Sequence, residues 1–143
     1  MAQIISVANQ KGGVGKTTTT VNLGACLASL GKKVLLVDMD AQGNATSGVG
    51  IRKPDVTRDI YDVLVNELPI DEATLITEHE NLSIVPATLQ LAGAEIELTS
   101  MMARESRLKG SLAEVSSQYD YILIDCPPSL GHLTINSFTA SDS

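Results

Sequence analysis

Hydrophobic positions divide this chain into short apolar runs and longer segments in which polar and apolar residues mix. Four of the apolar runs predict buried β-strands: Ile4–Ala8, Val34–Asp38, Leu82–Pro86 and Tyr121–Asp125. The second and fourth runs are almost continuous in apolar residues, as expected of strands that are covered on both faces. Because helical patterns separate the runs, the expected architecture is a parallel sheet with crossover helices.

The segments between the strands predict helices. The first covers Thr17–Leu30 and ends before Gly31, a residue type that commonly follows a helix end. Thr57 is the expected N-cap of a second helix over Ile60–Leu64. The other expected elements are helices over Leu89–Leu98 and Glu105–Ser117 and a mobile loop over the polar, glycine-rich segment Gly43–Lys53.

A glycine-rich turn joins the first strand to the first helix, and it predicts a nucleoside triphosphate site. The residues assigned to nucleotide binding are Gly12, Gly13, Val14, Gly15, Lys16, Thr17 and Thr18. Glycines let backbone N–H groups converge on an anion at a helix N-terminus. Lys16 would place its charge between the terminal phosphates, and Thr17 would offer its hydroxyl to Mg²⁺. The expected fold class is therefore α/β, a P-loop NTPase-type parallel sheet with helices on both faces.

The turn departs from the standard phosphate-loop pattern in one informative way. That pattern requires glycine at position 10, where this chain has Gln10, and a second lysine follows as Lys11. A solvated lysine is the ordinary alternative. Beside glycines that shape a phosphate loop, we favour a phosphate role for Lys11, on the nucleotide of a neighbouring subunit.

The run of threonines at positions 17–20 conflicts with a helix, because β-branched residues are poor helix formers. For Thr17 and Thr18 we favour a role in binding magnesium and phosphate. For Thr19 and Thr20 we favour the ordinary interpretation, in which threonine is tolerated in a first turn.

Acidic residues end two of the predicted strands, at the edge where open parallel sheets bind their ligands. Asp125 follows four apolar residues, which is typical of a Walker B acid that holds Mg²⁺ through a water. Asp40 is the better candidate for orienting the attacking water. Asp38 is expected to support the metal shell or the loop geometry. A purely structural strand-end role stays open for Asp38.

Composition limits the partners of this segment. The net charge of −7 and the pI near 4.6 argue against a broad DNA-binding face on these 143 residues alone. Aromatic residues make up 3% of the chain, which argues against a stacking platform for single-stranded nucleic acid. No signal peptide or membrane-length apolar run is present in the sequence, so we expect a cytoplasmic protein without a membrane partner.

Three segments together resemble the MinD/ParA ATPases: Lys11–Thr18, Asp38–Asn44 and Tyr121–Pro128. They are similar to the deviant Walker A, switch I and Walker B/switch II motifs of that superfamily. The pattern D-x-D-x-Q-G-N in the second segment resembles the ParA branch rather than the MinD branch. The resemblance runs over the whole chain, and the three motifs together are highly specific.

The resemblance implies an ATPase that uses ATP and Mg²⁺ and forms an ATP-dependent, nucleotide-sandwich homodimer. By this resemblance, Lys11 is the signature lysine that reaches the partner's phosphates, and Lys16 and Thr17 bind phosphate and magnesium within the subunit. Asp40 corresponds to the hydrolytic carboxylate and Asp125 to the Walker B acid. The catalytic residues expected are thus Lys11, Lys16 and Asp40.

The resemblance also implies partners and a place in the cell. The ATP-bound dimer of ParA proteins binds DNA without sequence preference, and a ParB-type protein stimulates slow hydrolysis, which drives chromosome or plasmid segregation in the cytoplasm on the nucleoid. Family members continue past residue 143. Polar residues Asn136–Ser143 stand where a fifth strand is expected, so we expect residues 1–143 to be the N-terminal part of a longer domain.

Three other functions remain open. A MinD-like regulator recruited to membranes would need an amphipathic C-terminal helix. An iron–sulfur reductase similar to the nitrogenase iron protein would need a suitable cysteine pair, which Cys26 and Cys126 do not offer by their positions. The third is a scaffold that binds nucleotide weakly and turns nothing over. His79 and His132 show no metal-ligand spacing.

Overall fold

The computed structural model describes residues 2–8, 14–127 and 131–142, with the backbone alone for residues 14–16. Its sheet has five strands in the order β1-β5-β2-β4-β3. The strands are β1 (Gln3–Val7), β2 (Val34–Asp38), β3 (Leu75–Ile76), β4 (Leu82–Val85) and β5 (Tyr121–Asp125). β1, β5, β2 and β4 are parallel, which confirms the four predicted strands and their parallel arrangement.

The edge strand β3 pairs antiparallel with β4 and was not predicted. A strand of two residues is too short to produce a recognisable hydrophobic period. Its Ile76 is 86% exposed, so burial gives no signal there either.

Helices connect the strands of the described chain. They are α1 (Val14–Ser29), α2 (Asn44–Gly48), α3 (Ile60–Val65), α4 (Ile70–Ala73), α5 (Ala94–Leu98), α6 (Arg107–Ala113) and α7 (His132–Ala140). Short 3₁₀ turns cover Lys53–Asp55, Leu89–Gly93, Arg104–Ser106 and Ser116–Gln118. The helical regions predicted over 89–98 and 105–117 are thus present in shorter pieces, and α4 and α7 were not predicted. No described helix is both long enough and apolar enough to span a membrane.

The sheet is covered on both faces, as predicted. Successive side chains of a strand point to opposite faces, so alternate residues enter different cores. Leu35 and Val37 of β2 pack with residues of α3, α4, α5, α6 and α7. Val34 and Leu36 pack in a separate cluster with residues of α1 and α2. The result is a three-layer arrangement that buries β2 completely.

The first helix ends as the sequence predicts, with Gly31 in the left-handed region at φ +86°. The Gly31 N–H donates to the Ala28 carbonyl at 3.0 Å, and the Lys32 N–H donates to the Leu27 carbonyl at 3.1 Å. These two bonds form a Schellman motif, which satisfies carbonyls that the helix end would leave unpaired. Glycine adopts this conformation without the penalty that a Cβ atom brings.

The expected mobile loop over Gly43–Lys53 is wrong, because Asn44–Gly48 form α2. Ala45 and Thr46 in this helix are completely buried. The local sequence is polar and rich in glycine, which favours a loop. Contacts with the sheet and with α1 override that local preference.

The expected N-cap at Thr57 is also wrong. Asp59 caps α3: its carboxylate accepts the Asp62 N–H at 3.3 Å, and its own N–H donates to the Asp62 carboxylate at 3.1 Å. This is a capping box built from two aspartates. The acidic partner at the third helical position could have indicated the correct residue.

The N-terminus of α7 is held by a side chain from another helix. Glu95 in α5 accepts hydrogen bonds from the backbone N–H groups of His132 at 2.7 Å and Leu133 at 3.0 Å. A Cβ atom at the preceding Gly131 would lie 2.6 Å from a Glu95 carboxylate oxygen. Gly131 has extended backbone, so the space taken by the Glu95 carboxylate, rather than conformation, favours glycine there.

Close packing of α1 on the sheet depends on Gly24. A Cβ atom there would lie 2.9 Å from Leu36 Cδ2 and 3.3 Å from Leu82 Cδ1. We expect Gly24→Val to lower the free energy of unfolding by about 1–3 kcal/mol, because overpacking forces side chains or backbone to move. Urea unfolding followed by circular dichroism measures this change.

The matched control is Gly110→Val in α6, where an added Cβ meets no atom within 4 Å. This exposed position should change stability by less than about 0.5 kcal/mol. Equal losses at the two positions would show that close approach to the sheet is not what requires Gly24.

Candidate nucleotide-binding site

The carboxyl ends of β1, β5 and β2 lie side by side and carry the predicted site. Asp125 in β5 pairs in register with Val7 on one side and with Asp38 on the other. Backbone bonds continue past the strand ends, from the Met39 N–H to the Asp125 carbonyl at 2.9 Å and from the Cys126 N–H to the Val7 carbonyl at 3.1 Å. The two predicted strand-end acids, Asp38 and Asp125, therefore lie on neighbouring strands.

Asp125 is bonded to the first turns of α1. Its side chain is buried, and its two carboxylate oxygens accept hydrogen bonds from the Thr17 hydroxyl at 3.1 Å and the Thr20 hydroxyl at 3.2 Å. The structure thus brings together Thr17 and Asp125, two of the residues predicted to serve magnesium. A hydroxyl and a carboxylate are oxygen ligands of the kind that Mg²⁺ takes.

Thr20 is a site residue that sequence analysis missed. We expected it to be tolerated without a specific role, but it is completely buried and bonded to Asp125. The spacing of three residues between Thr17 and Thr20 could have indicated this, since residues i and i+3 share one helix face.

Asp38 is enclosed by a network of hydrogen bonds. One carboxylate oxygen accepts the Thr46 N–H at 3.0 Å and the Thr46 hydroxyl at 2.7 Å, and the other accepts the Asp40 N–H at 3.2 Å. The Thr46 hydroxyl also accepts the Ala87 N–H at 3.0 Å. The sequence left several roles open for Asp38, and this arrangement favours the one in which Asp38 supports the geometry of the loop after β2. Thr46 itself was not predicted.

Burial raises the pKa of Asp38 from its ordinary value of 3.8 to about 7. The charge of the neighbouring Asp125 adds to the rise, whereas the hydrogen bonds from Thr46 and Asp40 lower the pKa. A carboxyl group buried this completely is costly to ionise, because solvation by water is lost.

Asp40 lies at the start of a tight turn beyond β2. One of its carboxylate oxygens accepts the Gln42 N–H at 3.0 Å, and its carbonyl accepts the Gly43 N–H at 2.8 Å. Its N–H is bonded to Asp38, so both the backbone and the side chain of Asp40 are fixed. The residue is 8% exposed, at the same edge of the sheet as Asp125.

The remaining predicted contacts are only partly described. Lys11, Gly12 and Gly13 lie outside the described residues. Val14, Gly15 and Lys16 form the first turn of α1, and their side chains are not described. Thr18 follows in the same helix with an exposed side chain. The N-terminal part of this 16-residue helix lies beside the strand end that carries Asp125, because Thr17 is bonded to Asp125.

Acidic, histidine and cysteine side chains alone do not form a metal centre within the described residues. No group of three or more of them is close enough to hold a metal ion there. A magnesium site at this edge would therefore need hydroxyl, water and phosphate oxygens as well, as is usual for Mg²⁺ bound with a nucleotide.

Comparison with known sequences shows which proteins this chain is similar to. A family model described as AAA domain matches residues 2–143. The sporulation initiation inhibitor protein Soj of Bacillus subtilis is 63% identical over 143 residues, which are 100% of this chain and 56% of Soj. The chromosome partitioning protein ParA of Myxococcus xanthus is 54% identical, over 100% of this chain and 50% of that protein. The chain spans about half the length of these relatives.

A solved structure has the same fold. Cobyrinic acid a,c-diamide synthase from Mycobacterium smegmatis, crystallised with an ATP analogue and magnesium, superposes with a TM-score of 0.94 at 41% identity. The match covers 99% of this chain and 57% of that protein. Together with the family match, it confirms the expected α/β fold of the P-loop NTPase type.

The contribution of Asp38 to the free energy of unfolding should fall as pH rises from about 4 to about 7. Its pKa is raised from 3.8 to about 7 by folding. In that interval the folded protein keeps a proton that the unfolded chain has released, so rising pH favours unfolding, by at most about 1.4 kcal/mol per pH unit. Urea unfolding at several pH values should show a smaller fall for Asp38→Asn.

The control for this titration is Asp71→Asn, because Asp71 is exposed in α4. Its pH profile should follow that of the unsubstituted protein. Parallel profiles for the unsubstituted protein and Asp38→Asn would contradict the raised pKa.

Proposed function

Because the chain belongs to the AAA domain family and is similar to Soj and ParA, we propose that it forms the nucleotide-binding part of a ParA-type partition ATPase. The single observation that carries the proposal is the contact between Thr17 and Asp125 at 3.1 Å. It joins the helix that follows the phosphate loop to the acid that ends a central strand. Phosphate-loop ATPases need these two groups together.

In the proposed mechanism, the phosphates of ATP bind at the N-terminus of α1, where N–H groups and the helix dipole favour negative charge. Lys16 neutralises the terminal phosphates. Thr17 and Asp125 would hold the magnesium ion, which neutralises charge on the phosphate oxygens. Support comes from the oxygen donors present and from a similar protein that was crystallised with an ATP analogue and magnesium.

Asp40 is proposed to orient the water that attacks the terminal phosphate. Hydrolysis of this kind depends on positioning and on charge stabilisation, so a rigidly held carboxylate is what the reaction needs. The fixed backbone and side chain of Asp40 support this role. Asp38 is proposed to hold Asp40 and α2 in place, and to support the metal shell only indirectly.

The partners and location of the whole protein are further parts of the proposal. We propose an ATP-dependent homodimer in which Lys11 reaches the partner's phosphates, with stimulation by a ParB-type protein. Non-specific DNA binding is proposed to belong mainly to chain beyond residue 143, because these 143 residues together have a net charge of −7. The proposed location is the cytoplasm, on the nucleoid.

Other functions have weaker support. Soj and ParA are 63% and 54% identical to this chain, against 41% for the diamide synthase. The segment Asp38–Asn44 is unlike the MinD branch, which does not favour a membrane regulator. Cys26 is exposed on α1 and Cys126 is buried, which does not favour a shared iron–sulfur cluster. An iron assay and co-sedimentation with liposomes or DNA separate these classes.

The first test is Lys16→Ala. Loss of the ammonium group should weaken binding of ATP with magnesium by roughly 10- to 100-fold, since a hydrogen bond to a charged group contributes about 1.5–3 kcal/mol. Isothermal titration calorimetry of the 143-residue chain measures the affinity.

Lys33→Ala is the matched control, because this exposed lysine precedes β2 at the opposite end of the sheet. Its affinity for ATP should not change. Equal affinities for all three proteins, with the fold intact by circular dichroism, would mean that ATP does not bind at the phosphate loop.

The second test is Asp40→Ala in the full-length protein. We expect ATP affinity to be retained and turnover to fall by at least about 100-fold, as is usual when a residue that handles the reacting water is removed. Single-turnover measurement of phosphate release gives the rate. Asp71→Ala, a change at an exposed aspartate in α4, should turn over normally. Undiminished hydrolysis by Asp40→Ala would remove Asp40 from the mechanism.

A further inference from the structure

Lys53 lies next to the turn that carries Asp40, although it follows Asp40 by a whole helix in the sequence. It begins the 3₁₀ turn Lys53–Asp55 beyond α2, and its side chain is half-buried. The Lys53 ammonium group donates a hydrogen bond to the backbone carbonyl of Gln42. A charged donor makes a stronger bond to a carbonyl than a neutral donor does.

Gly43 provides the space that Lys53 occupies. A Cβ atom at position 43 would lie 2.7 Å from Lys53 Cε and 2.8 Å from the Ala87 carbonyl oxygen. Gly43 also has φ +65°, a conformation that residues with a side chain seldom adopt. Glycine at this position therefore serves both the turn and the approach of the lysine.

The bond from Lys53 fixes the peptide group whose N–H is bonded to the Asp40 carbonyl. The Gln42 carbonyl and the Gly43 N–H belong to one planar peptide group. Its carbonyl accepts from Lys53, and its N–H donates to the Asp40 carbonyl at 2.8 Å. The Gln42 N–H in turn donates to the Asp40 carboxylate at 3.0 Å. Rotation of this peptide group would break the Gly43 N–H bond to the Asp40 carbonyl. It would also loosen the turn in which the Gln42 N–H, which belongs to the preceding peptide group, holds the Asp40 carboxylate.

We propose that Lys53 is a positioning residue for Asp40, acting through the Gln42–Gly43 peptide group rather than by contact with the nucleotide. This inference rests on the proposed function, in which Asp40 orients the attacking water. Lys53 would keep the Asp40 carboxylate in one position during turnover, since small misplacements of a reacting group lower the rate strongly.

Lys53→Met tests the proposal, because methionine keeps most of the apolar stem and removes the ammonium group. Arg52→Met is the matched control: Arg52 is the exposed neighbour. The first measurement is hydrogen exchange in peptides that cover residues 40–48. Exchange at Gln42 and Gly43 should be faster in Lys53→Met than in the unsubstituted protein or in Arg52→Met.

The second measurement is steady-state hydrolysis by the full-length protein. For Lys53→Met we expect kcat to fall by roughly threefold to tenfold while ATP affinity stays within about twofold, because positioning of the water is affected and phosphate binding is not. A purely structural role would lower the thermal midpoint and the affinity together. Unchanged exchange, or faster exchange with unchanged kcat, overturns the proposal.

Chemical rescue gives an independent test. Cys26 is exposed and Cys126 is buried, so Lys53→Cys is made in a Cys26→Ser background. Alkylation with 2-bromoethylamine rebuilds an ammonium group of about the same reach and should restore kcat. Alkylation with iodoacetamide, which adds a neutral group, should not, and equal recovery with both reagents overturns the proposal.

Measurements on the unsubstituted protein distinguish a failure of the proposed function from a failure of the role of Lys53. Failure of that protein to bind ATP with magnesium contradicts the proposed function, and the role of Lys53 is then wrong as well. Binding and turnover by the unsubstituted protein, with the same kcat in Lys53→Met, overturns the role of Lys53 alone.

Discussion

The buried carboxylate of Asp125 joins the elements on which the rest of the site depends. Asp125 lies at the end of β5, and its carboxylate accepts hydrogen bonds from the hydroxyl groups of Thr17 and Thr20 in α1. Its backbone carbonyl accepts a hydrogen bond from the Met39 N–H beyond β2. A buried carboxylate is tolerated only when its oxygens are hydrogen-bonded. Because α1 supplies the side-chain donors, the helix that follows the phosphate loop is held in a fixed position on the sheet.

A second buried acid on the neighbouring strand makes this edge electrostatically costly. Asp38 and Asp125 are register partners, and each buried carboxyl group needs hydrogen-bond donors around it. They use different helices: Asp125 is bonded to α1, and Asp38 is bonded to Thr46 in α2. Burial of two carboxyl groups lowers stability, and neighbouring contacts offset the loss. Such local destabilisation is typical of functional sites.

Sequence pattern was sufficient for the features that depend on local residues. The four parallel strands and the glycine that ends α1 follow from apolar runs and from the needs of a helix end. Pattern failed where tertiary contacts decide. Helix α2 has a loop-like sequence and forms because Thr46 bonds to Asp38 and to Ala87, 41 residues away. Thr20 was missed because its partner, Asp125, is 105 residues away.

For the site, the sequence alone assigned Thr17 and Asp125 to magnesium, and the structure places their side chains 3.1 Å apart. It left open whether Asp38 serves metal or loop, since that depends on which donors surround the carboxylate. The role of Lys53 likewise depends on tertiary contacts. No spacing in the sequence indicates that its ammonium group reaches Gln42, because the approach is created by the path of α2 and by the missing side chain at Gly43.

The contact of Gly131 with Glu95 has a consequence for how natural sequences of this protein can vary. Any side chain at position 131 would meet the Glu95 carboxylate, and that carboxylate holds the first N–H groups of α7. A larger residue at 131 would push the Glu95 carboxylate away from these N–H groups, which would leave α7 to be capped in another way. The two positions should covary in evolution, although 36 residues separate them in the chain and Gly131 precedes α7 whereas Glu95 lies in α5.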